Sequence, residues 1–123
     1  MYELVVEREF SAGHRLRDYD GACARIHGHN YRVELSVVGE ELLPAGFLVD
    51  FGDLKEMCDA VIGRLDHRLL NELEPFREQN PTSEHVARHV YEEIQARLRG
   101  PRVRVQYVRV WETPRQSAIY RGE

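Results

Sequence analysis

The segment Cys23–Gly39 reads C-A-R-I-H-G-H-N-Y-R-V-E-L-S-V-V-G and combines an unusual pair of histidines with a regular pattern. From Tyr31 onward, apolar and polar residues alternate, which predicts a β-strand over His27–Gly39 with one buried face. The two histidines at the start of this strand stand one residue apart and shortly after a cysteine. Core packing alone does not favour this arrangement, so the segment indicates both a sheet and a site at the end of the sheet.

The composition is typical of one soluble domain over residues 1-123. Hydrophobic residues make up 42% of the chain and charged residues 31%, an ordinary balance for a globular protein with its own core. The formal net charge of −4 gives no basic footprint for nucleic acid, and no apolar run is long enough to cross a membrane. The N-terminal segment carries acids early and does not resemble a signal peptide, so we expect a cytoplasmic protein.

The rest of the chain predicts three further strands and two helices. Residues 1–12 alternate as a strand whose apolar face is interrupted at Arg8, and a loop is expected over 13–26. A helical stripe runs from Leu54 to Leu65 behind a cap at Asp50 or Asp53, and includes Cys58 as a core residue. A second helix begins near residues 80–84 and ends at 100–101, and two strands follow at 103–112 and 117–120.

This order, β-β-α-α-β-β, predicts an α+β fold in which an antiparallel sheet carries two helices on one face. Strands that meet at tight turns pair antiparallel, and helices between the strand pairs pack together on one side. The opposite face of the sheet has no cover from its own chain. Because small proteins often close an open sheet by self-association, we expect a homo-oligomer.

Three histidines are predicted to converge at one end of this sheet. His27 and His29 project to the same side of an extended strand, about 7 Å apart along the chain. His14 ends the segment F-S-A-G-H, and antiparallel pairing of the first two strands brings it to the same place. Three imidazoles suit Zn²⁺ and leave a fourth position open for water or substrate. The alternative is three turn histidines that lie near one another by chance.

Cys23 has two possible roles beside such an ion. It can complete a closed site as a fourth ligand, or it can stay unligated with a thiol pKa lowered by the nearby cation. An unligated thiolate is a candidate base or nucleophile. A different pair, His85 and His89, stands four residues apart on the second helix, where we expect it to be solvated on the helix surface.

Five motifs in this order resemble the 6-pyruvoyltetrahydropterin synthase and 6-carboxytetrahydropterin synthase family. They are F-S-A-G-H-R-L (10–16), C-A-R-I-H-G-H-N-Y (23–31), L-D-H-R-L-L-N (65–71), P-T-S-E (81–84) and V-W-E-T-P (110–114). The short spacing from Cys23 to His27 resembles the bacterial 6-carboxytetrahydropterin synthases of the 7-deazaguanine (queuosine) pathway. The resemblance implies the tunnelling fold, with subunits joined around a barrel in a hexamer or tetramer and with active sites between subunits.

The resemblance also implies a reaction and the roles of individual residues. The reaction is the zinc-dependent conversion of 7,8-dihydroneopterin triphosphate to 6-carboxy-5,6,7,8-tetrahydropterin, acetaldehyde and triphosphate. The residues implied to act are the metal ligands His14, His27 and His29, the catalytic base Cys23, the proton-relay pair Asp66 and His67, the pterin anchor Glu112, and the pocket residues Thr82 and Ser83. Arginines would receive the triphosphate, and Arg15, Arg25 and Arg109 are candidates.

Three alternatives to this reaction remain at the level of the sequence. The same fold can form 6-pyruvoyltetrahydropterin, or cleave dihydroneopterin to 6-hydroxymethyldihydropterin. A third alternative belongs to another class, a non-catalytic pterin-binding module whose zinc is enclosed by Cys23 and the three histidines.

Overall fold

The computed structural model describes residues 1–122 and has the predicted β-β-α-α-β-β order. Its four strands form one antiparallel sheet in the order β1-β2-β3-β4. Both helices pack against the same face of the sheet, so the predicted fold class is confirmed. The elements are β1 Tyr2–His14, β2 His27–Gly39, α1 Phe51–Ile62, α2 Ser83–Arg97, β3 Arg104–Thr113 and β4 Gln116–Tyr120.

The pairing of β1 with β2 places the histidines. The two strands are antiparallel and in register along their whole length, with His14 opposite His27 and Ala12 opposite His29. The prediction that β1 ends at Ala12 is wrong by two residues, because Gly13 still pairs with Gly28 across the sheet. On its other side, the Gly13 amide donates to the carbonyl of Arg68 at 3.0 Å. This extension makes His14 a strand residue.

The core lies between the sheet and the two helices. Alternate residues of β2 on this face, from Tyr31 to Val37, have no exposed surface, as the alternation predicted. Leu65 is also buried, although it lies beyond the end of α1 at Ile62, so the apolar stripe continues into the following turn. Burying large apolar side chains contributes about 1.5–3 kcal/mol each to folding, which makes this layer the main support of the site.

Arg8 is the one charged residue on the core-facing side of β1, and its partner explains its place. Its guanidinium donates from Nε and Nη2 to the two carboxylate oxygens of Asp59 on α1, at 2.8 and 2.9 Å. A paired, bidentate contact of this kind fixes orientation as well as distance. The break in the apolar pattern therefore marks the point where α1 is attached to the edge strand.

Both helix starts are capped by side chains. The Asp50 carboxylate accepts the amides of Gly52 and Asp53 at the start of α1, and the Thr82 hydroxyl accepts the amide of His85 at the start of α2. Each cap satisfies backbone donors that have no partner within the helix. The residue before this cap, Pro81, accepts a hydrogen bond from His14, so the start of α2 lies beside the end of β1.

The face of the sheet away from the helices carries charged and aromatic side chains together with exposed Val5 and Ile119. Trp111 lies there between two guanidinium groups, with the Arg32 carbon 4.4 Å and the Arg109 carbon 4.0 Å from its ring centre.

Among residues 1–122, neither helix has the length and apolar character needed to span a bilayer.

Candidate active site

The three histidines meet at the end of the sheet where β1 finishes and β2 begins. One nitrogen from each of His14, His27 and His29 lies within 4.8 Å of the other two. Their ring centres are 4.6 to 5.0 Å apart, and the rings stand edge to face. No cysteine or carboxylate of the described residues joins this group. The structure therefore brings together the three predicted ligands and leaves Cys23 outside them.

Hydrogen bonds to backbone carbonyls fix which nitrogen is available in two of the three rings, those of His14 and His27. Nδ1 of His14 donates to the carbonyl of Pro81 at 2.8 Å, and Nδ1 of His27 donates to that of Arg25 at 2.7 Å. A carbonyl can only accept, so in both rings Nδ1 carries the proton and Nε2 keeps its lone pair. In metal-binding histidines, the ring nitrogen that does not bind the metal commonly donates a hydrogen bond of this kind, which orients the ring.

Unsatisfied nitrogens give a direct test of whether these residues suit a metal ion. Nε2 of His14 and Nε2 of His29 are both buried and have no hydrogen-bond partner among the described residues. A buried polar atom without a partner costs about 1–3 kcal/mol, so a native protein normally provides one. An ion held by the three histidines would satisfy both nitrogens, and the residues present therefore fit a metal.

Burial keeps the imidazoles in the form that binds metal. It lowers the pKa of His14 and of His29 below the ordinary value, and for His14 the neighbouring His27 acts in the same direction. Glu112 opposes this effect at both rings by favouring the charged form. Because the ligand form of histidine is neutral, the lowered pKa favours metal binding near neutral pH.

A cavity of about 580 Å³ opens beside the histidines. It is bounded by the end of β1, the turn that carries Cys23, the first turn of α2 and the β3–β4 hairpin. Its lining includes His14, Cys23, Thr82, Ser83 and Glu112, which are five of the predicted site residues. This volume is within the range of small-molecule sites, which is about 300–1,000 Å³.

Two asparagines hold the segment that leads to Cys23, and the sequence interpretation missed both. Asn71 bonds the amide and the carbonyl of Arg15 at 2.9 and 3.0 Å. Asn80 bonds the amide and the carbonyl of Arg17 at 2.8 and 2.9 Å. Between them, the amide of Leu16 donates to the carbonyl of Cys23 at 2.8 Å. Asn71 is the last residue of L-D-H-R-L-L-N, the one sequence signal that could have indicated it.

Glu112 is held at both of its carboxylate oxygens. Ser83 donates its hydroxyl to Oε2 at 3.0 Å, and Gln116 donates its amide to Oε1 at 3.2 Å. The same Oε1 lies 3.7 Å from Nε2 of His29. A carboxylate fixed in this way can act as a rigid acceptor for a planar group with two N–H donors. Gln116 was not among the predicted site residues.

Asp66 and His67 form a close pair, and His67 lines a different cavity from that of Cys23. Nδ1 of His67 is 3.0 Å from Oδ1 of Asp66, which also accepts the backbone amide of Ser11 at 2.9 Å. The Ser11 amide and His67 together lower the pKa of the Asp66 carboxyl. The His67 side chain is 81% exposed and shares its cavity with His29 but not with Cys23. Within one chain, therefore, Cys23 and His67 do not face a common space.

The expectation that His85 and His89 are solvated on the helix surface is wrong, because neighbouring elements cover part of each ring. Nδ1 of His85 donates to the carbonyl of Asn80 at 2.6 Å. His89 packs against the ring of Phe76 with 5.4 Å between ring centres, and burial lowers its pKa. Both residues therefore serve the packing at the start of α2.

The arginines suggested for the triphosphate do not line the cavity beside Cys23. Arg109 lies on the open face of the sheet, where its Nε donates to the hydroxyl of Ser117 at 2.9 Å. Arg15 and Arg25 are exposed, and neither of them is part of the cavity lining. Among the described residues, the cavity of a single chain offers no guanidinium for a phosphate chain.

Comparisons with known proteins agree with the resemblance drawn from the motifs. A family model described as 6-pyruvoyl tetrahydropterin synthase matches residues 3–123. The 6-carboxy-5,6,7,8-tetrahydropterin synthase of Bacillus subtilis is 40% identical over 127 residues, which covers 98% of this chain and 85% of the relative. The dihydroneopterin monophosphate aldolase of Pyrococcus furiosus is 32% identical over 109 residues, which covers 89% of this chain and 88% of the relative.

A solved structure has the same architecture. The 6-pyruvoyl tetrahydropterin synthase of Caenorhabditis elegans superposes with a TM-score of 0.85 and is 31% identical, covering 100% of this chain and 98% of that one. The fold, the sequence relatives and the family model lead to the same assignment. The chain belongs to the 6-pyruvoyl tetrahydropterin synthase family.

Proposed function

We propose that this protein is a 6-carboxy-5,6,7,8-tetrahydropterin synthase with zinc as its resident metal. It would convert 7,8-dihydroneopterin triphosphate, with water, to 6-carboxy-5,6,7,8-tetrahydropterin, acetaldehyde and triphosphate, as a step of 7-deazaguanine biosynthesis. The observation that carries the proposal is the single cavity shared by His14, Cys23 and Glu112 beside the three converging imidazoles. The 40% identity to the synthase of Bacillus subtilis supports this branch of the family.

Glu112 is the proposed anchor for the pterin. The amino-pyrimidine edge of a pterin presents parallel N–H donors, which match the two oxygens of one carboxylate. Ser83 fixes the carboxylate from the side of α2, and Thr82 lines the same cavity. With the ring held there, the side chain of the substrate would extend toward His14, Cys23 and the other two imidazoles.

Cys23 is the proposed base, and its surroundings suit proton transfer. It is a free thiol, half-buried at the cavity wall, and its position is fixed through the bond from Leu16. A zinc ion bound by the histidines would supply positive charge that acidifies C–H bonds next to the substrate oxygens it polarises. Cys23 would then remove a proton from the side-chain carbon that faces it.

Asp66 and His67 are the proposed relay on the other side of the substrate. The contact between His67 Nδ1 and Asp66 Oδ1 fixes the tautomer of the imidazole, which leaves Nε2 to exchange protons. Because His67 and Cys23 line separate cavities in one chain, we propose that His67 of the partner subunit completes each site. A homo-oligomer, hexamer or tetramer, with sites between subunits would also supply the missing guanidinium groups for the triphosphate.

Product analysis tests the reaction directly. The zinc-loaded protein is incubated with 7,8-dihydroneopterin triphosphate, and the products are identified by chromatography and mass spectrometry. We expect 6-carboxytetrahydropterin together with acetaldehyde. A 6-pyruvoyl product, or 6-hydroxymethyldihydropterin as the aldolase relative would suggest, would instead assign the chain to another branch of the family. Glu112→Gln keeps the size of the anchor without its charge and should abolish turnover at low substrate concentration.

The non-catalytic alternative predicts a closed metal site, and the arrangement of the ligands does not favour it. The group of possible ligand atoms contains three imidazoles and no sulfur among the described residues. A binding module would retain pterin without converting it. Absence of turnover by the fully zinc-loaded wild-type protein would support that alternative.

A further inference from the structure

Gln116 lies beside the proposed anchor, Glu112, and donates a hydrogen bond to it. It is the first residue of β4 and pairs with Thr113 across the β3–β4 hairpin. Its side chain is exposed, whereas Glu112 is half-buried, and both residues line the cavity that contains His14 and Cys23. The hairpin therefore presents an amide and a carboxylate side by side to anything bound there.

The hydrogen bond between the two side chains fixes the orientation of the amide. Gln116 donates from Nε2 to Oε1 of Glu112 at 3.2 Å. A primary amide has one end that donates and one end that accepts. Because the donating end is bonded to Glu112, the carbonyl oxygen of Gln116 remains as an acceptor next to the carboxylate. The pair thus offers three adjacent acceptor atoms, two from Glu112 and one from Gln116.

A 2-amino-4-oxopyrimidine ring has three N–H donors on its edge, one on the ring nitrogen and two on the amino group. A carboxylate can accept two of them in parallel, which leaves the second N–H of the amino group to be satisfied. An N–H that loses its water on binding and finds no acceptor weakens affinity. The acceptor count of the pair formed by Glu112 and Gln116 equals the donor count of this ring edge.

We propose that Gln116 is a specificity residue that accepts the second N–H of the substrate's 2-amino group while Glu112 accepts the other two donors. This inference rests on the proposed function, since it assumes a pterin in the cavity. It adds a determinant that distinguishes a free 2-amino group from a substituted one. Gln116 acts in binding the ring and takes no part in proton transfer at the side chain.

A comparison of two ligands in two proteins tests the proposal. The probes are pterin and N2-methylpterin, which lacks the second amino N–H, and binding to the zinc-loaded protein is measured by fluorescence titration. The wild-type protein should bind pterin up to about tenfold more tightly than N2-methylpterin, the effect of one hydrogen bond. In Gln116→Leu, the affinity for pterin should fall by that factor and the affinity for N2-methylpterin should not change.

The controls separate the possible failures. Arg115→Ala alters the exposed residue next to Gln116 and should keep the preference of the wild type. If Gln116→Leu lowers the affinity for both probes by the same factor, and so still prefers pterin as the wild type does, then Gln116 does not accept a hydrogen bond from the amino group and the inference is wrong. If the wild-type protein binds neither probe, the proposed function fails together with the inference.

Steady-state kinetics provide a second measurement. Removing a contact that is equally strong in the ground state and the transition state raises KM and leaves kcat unchanged. We therefore expect Gln116→Leu to raise KM for 7,8-dihydroneopterin triphosphate by up to about tenfold with kcat preserved. A fall in kcat at unchanged KM would contradict a role in ring recognition. Because Gln116 is exposed, the Gln116→Leu variant should unfold at the same temperature as the wild type. A matching melting temperature excludes misfolding as the cause of the change in KM.

Discussion

Two pairs of histidines in this chain have spacings that suit a metal ion, and the structure treats them differently. His27 and His29 stand one residue apart on β2, where His14 of the neighbouring strand faces them. His85 and His89 stand four apart on α2, where one bonds the carbonyl of Asn80 and the other packs against Phe76. A spacing compatible with metal binding is thus common to both pairs. A third imidazole and free nitrogens turned toward one point distinguish the first pair.

The largest effect on zinc binding is expected for His29→Ala, which removes one histidine of the first pair. Its Nε2 is buried and has no hydrogen-bond partner among residues 1–122, so we expect zinc affinity to fall by more than about 100-fold, since the loss of a residue that only orients a ligand costs about 10–100-fold. The measurement is zinc content after dialysis, with turnover of the same samples. The matched control is His89→Leu, which fills the same space against Phe76 and should keep its zinc. Equal zinc loss in both variants would contradict the distinction.

Cys23→Ala tests whether the three histidines alone hold the ion. We expect zinc content to stay at the wild-type level and turnover to fall by about 10²–10⁴-fold, the usual effect of removing a general base. Cys58→Ala is the matched control. Cys58 is buried in the core with its thiol pKa raised to about 12, so its loss should lower stability and leave turnover per folded molecule unchanged. Zinc loss in Cys23→Ala would identify sulfur as a ligand.

The cap at Thr82 shows what holds the second pair in place. The backbone amide of His85 donates to the Thr82 hydroxyl at 3.2 Å. Thr82→Ala removes this bond and should lower the free energy of unfolding by about 1 kcal/mol, measured by urea denaturation. Thr82→Ser keeps a hydroxyl and should recover most of the loss. If both variants unfold like the wild type, the cap does not stabilise the start of α2.

The smallest expected effect concerns the pH dependence of stability. Burial lowers the pKa of His89, so the unfolded chain takes up a proton there first as the pH falls below about 6.5. The stability associated with the neutral ring is present above that pH and is lost as the pH falls through the window below it. In metal-free protein, His89→Leu should reduce the loss of unfolding free energy between about pH 7 and pH 5 by about 1 kcal/mol or less. An unchanged slope would show that His89 does not contribute.

Features repeated along the chain could be predicted from the sequence. The alternation of Tyr31 to Val37 predicted the buried face of β2. The spacing of two residues between His27 and His29 predicted that their side chains project to the same side of the strand. The antiparallel pairing of consecutive strands then placed His14 opposite them. These inferences succeeded because strand geometry converts sequence spacing into direction.

Contacts between distant elements could not be predicted in this way. Arg8 interrupts the apolar pattern of β1, and the residue that pairs with it, Asp59, lies on α1, 51 residues away. Asn71 holds the backbone of Arg15 across 56 residues. The bond from Gln116 to Glu112 depends on the shape of a hairpin, and a register shift in β3 precedes it. Such polar contacts have no periodicity, so their partners emerge only once the chain is folded.

The segment after α1 has a consequence for how copies of this chain can join. The backbone amide of Ser11 bonds Asp66, its carbonyl accepts from the amide of His67, and Gly13 bonds the carbonyl of Arg68. These bonds occupy the outer edge of β1 over its last residues, so a strand from another molecule can add only along the part of β1 before Ser11. Strand pairing between two copies along β1 must therefore end before the histidines, so a partner residue can reach the site only from beyond the paired strands.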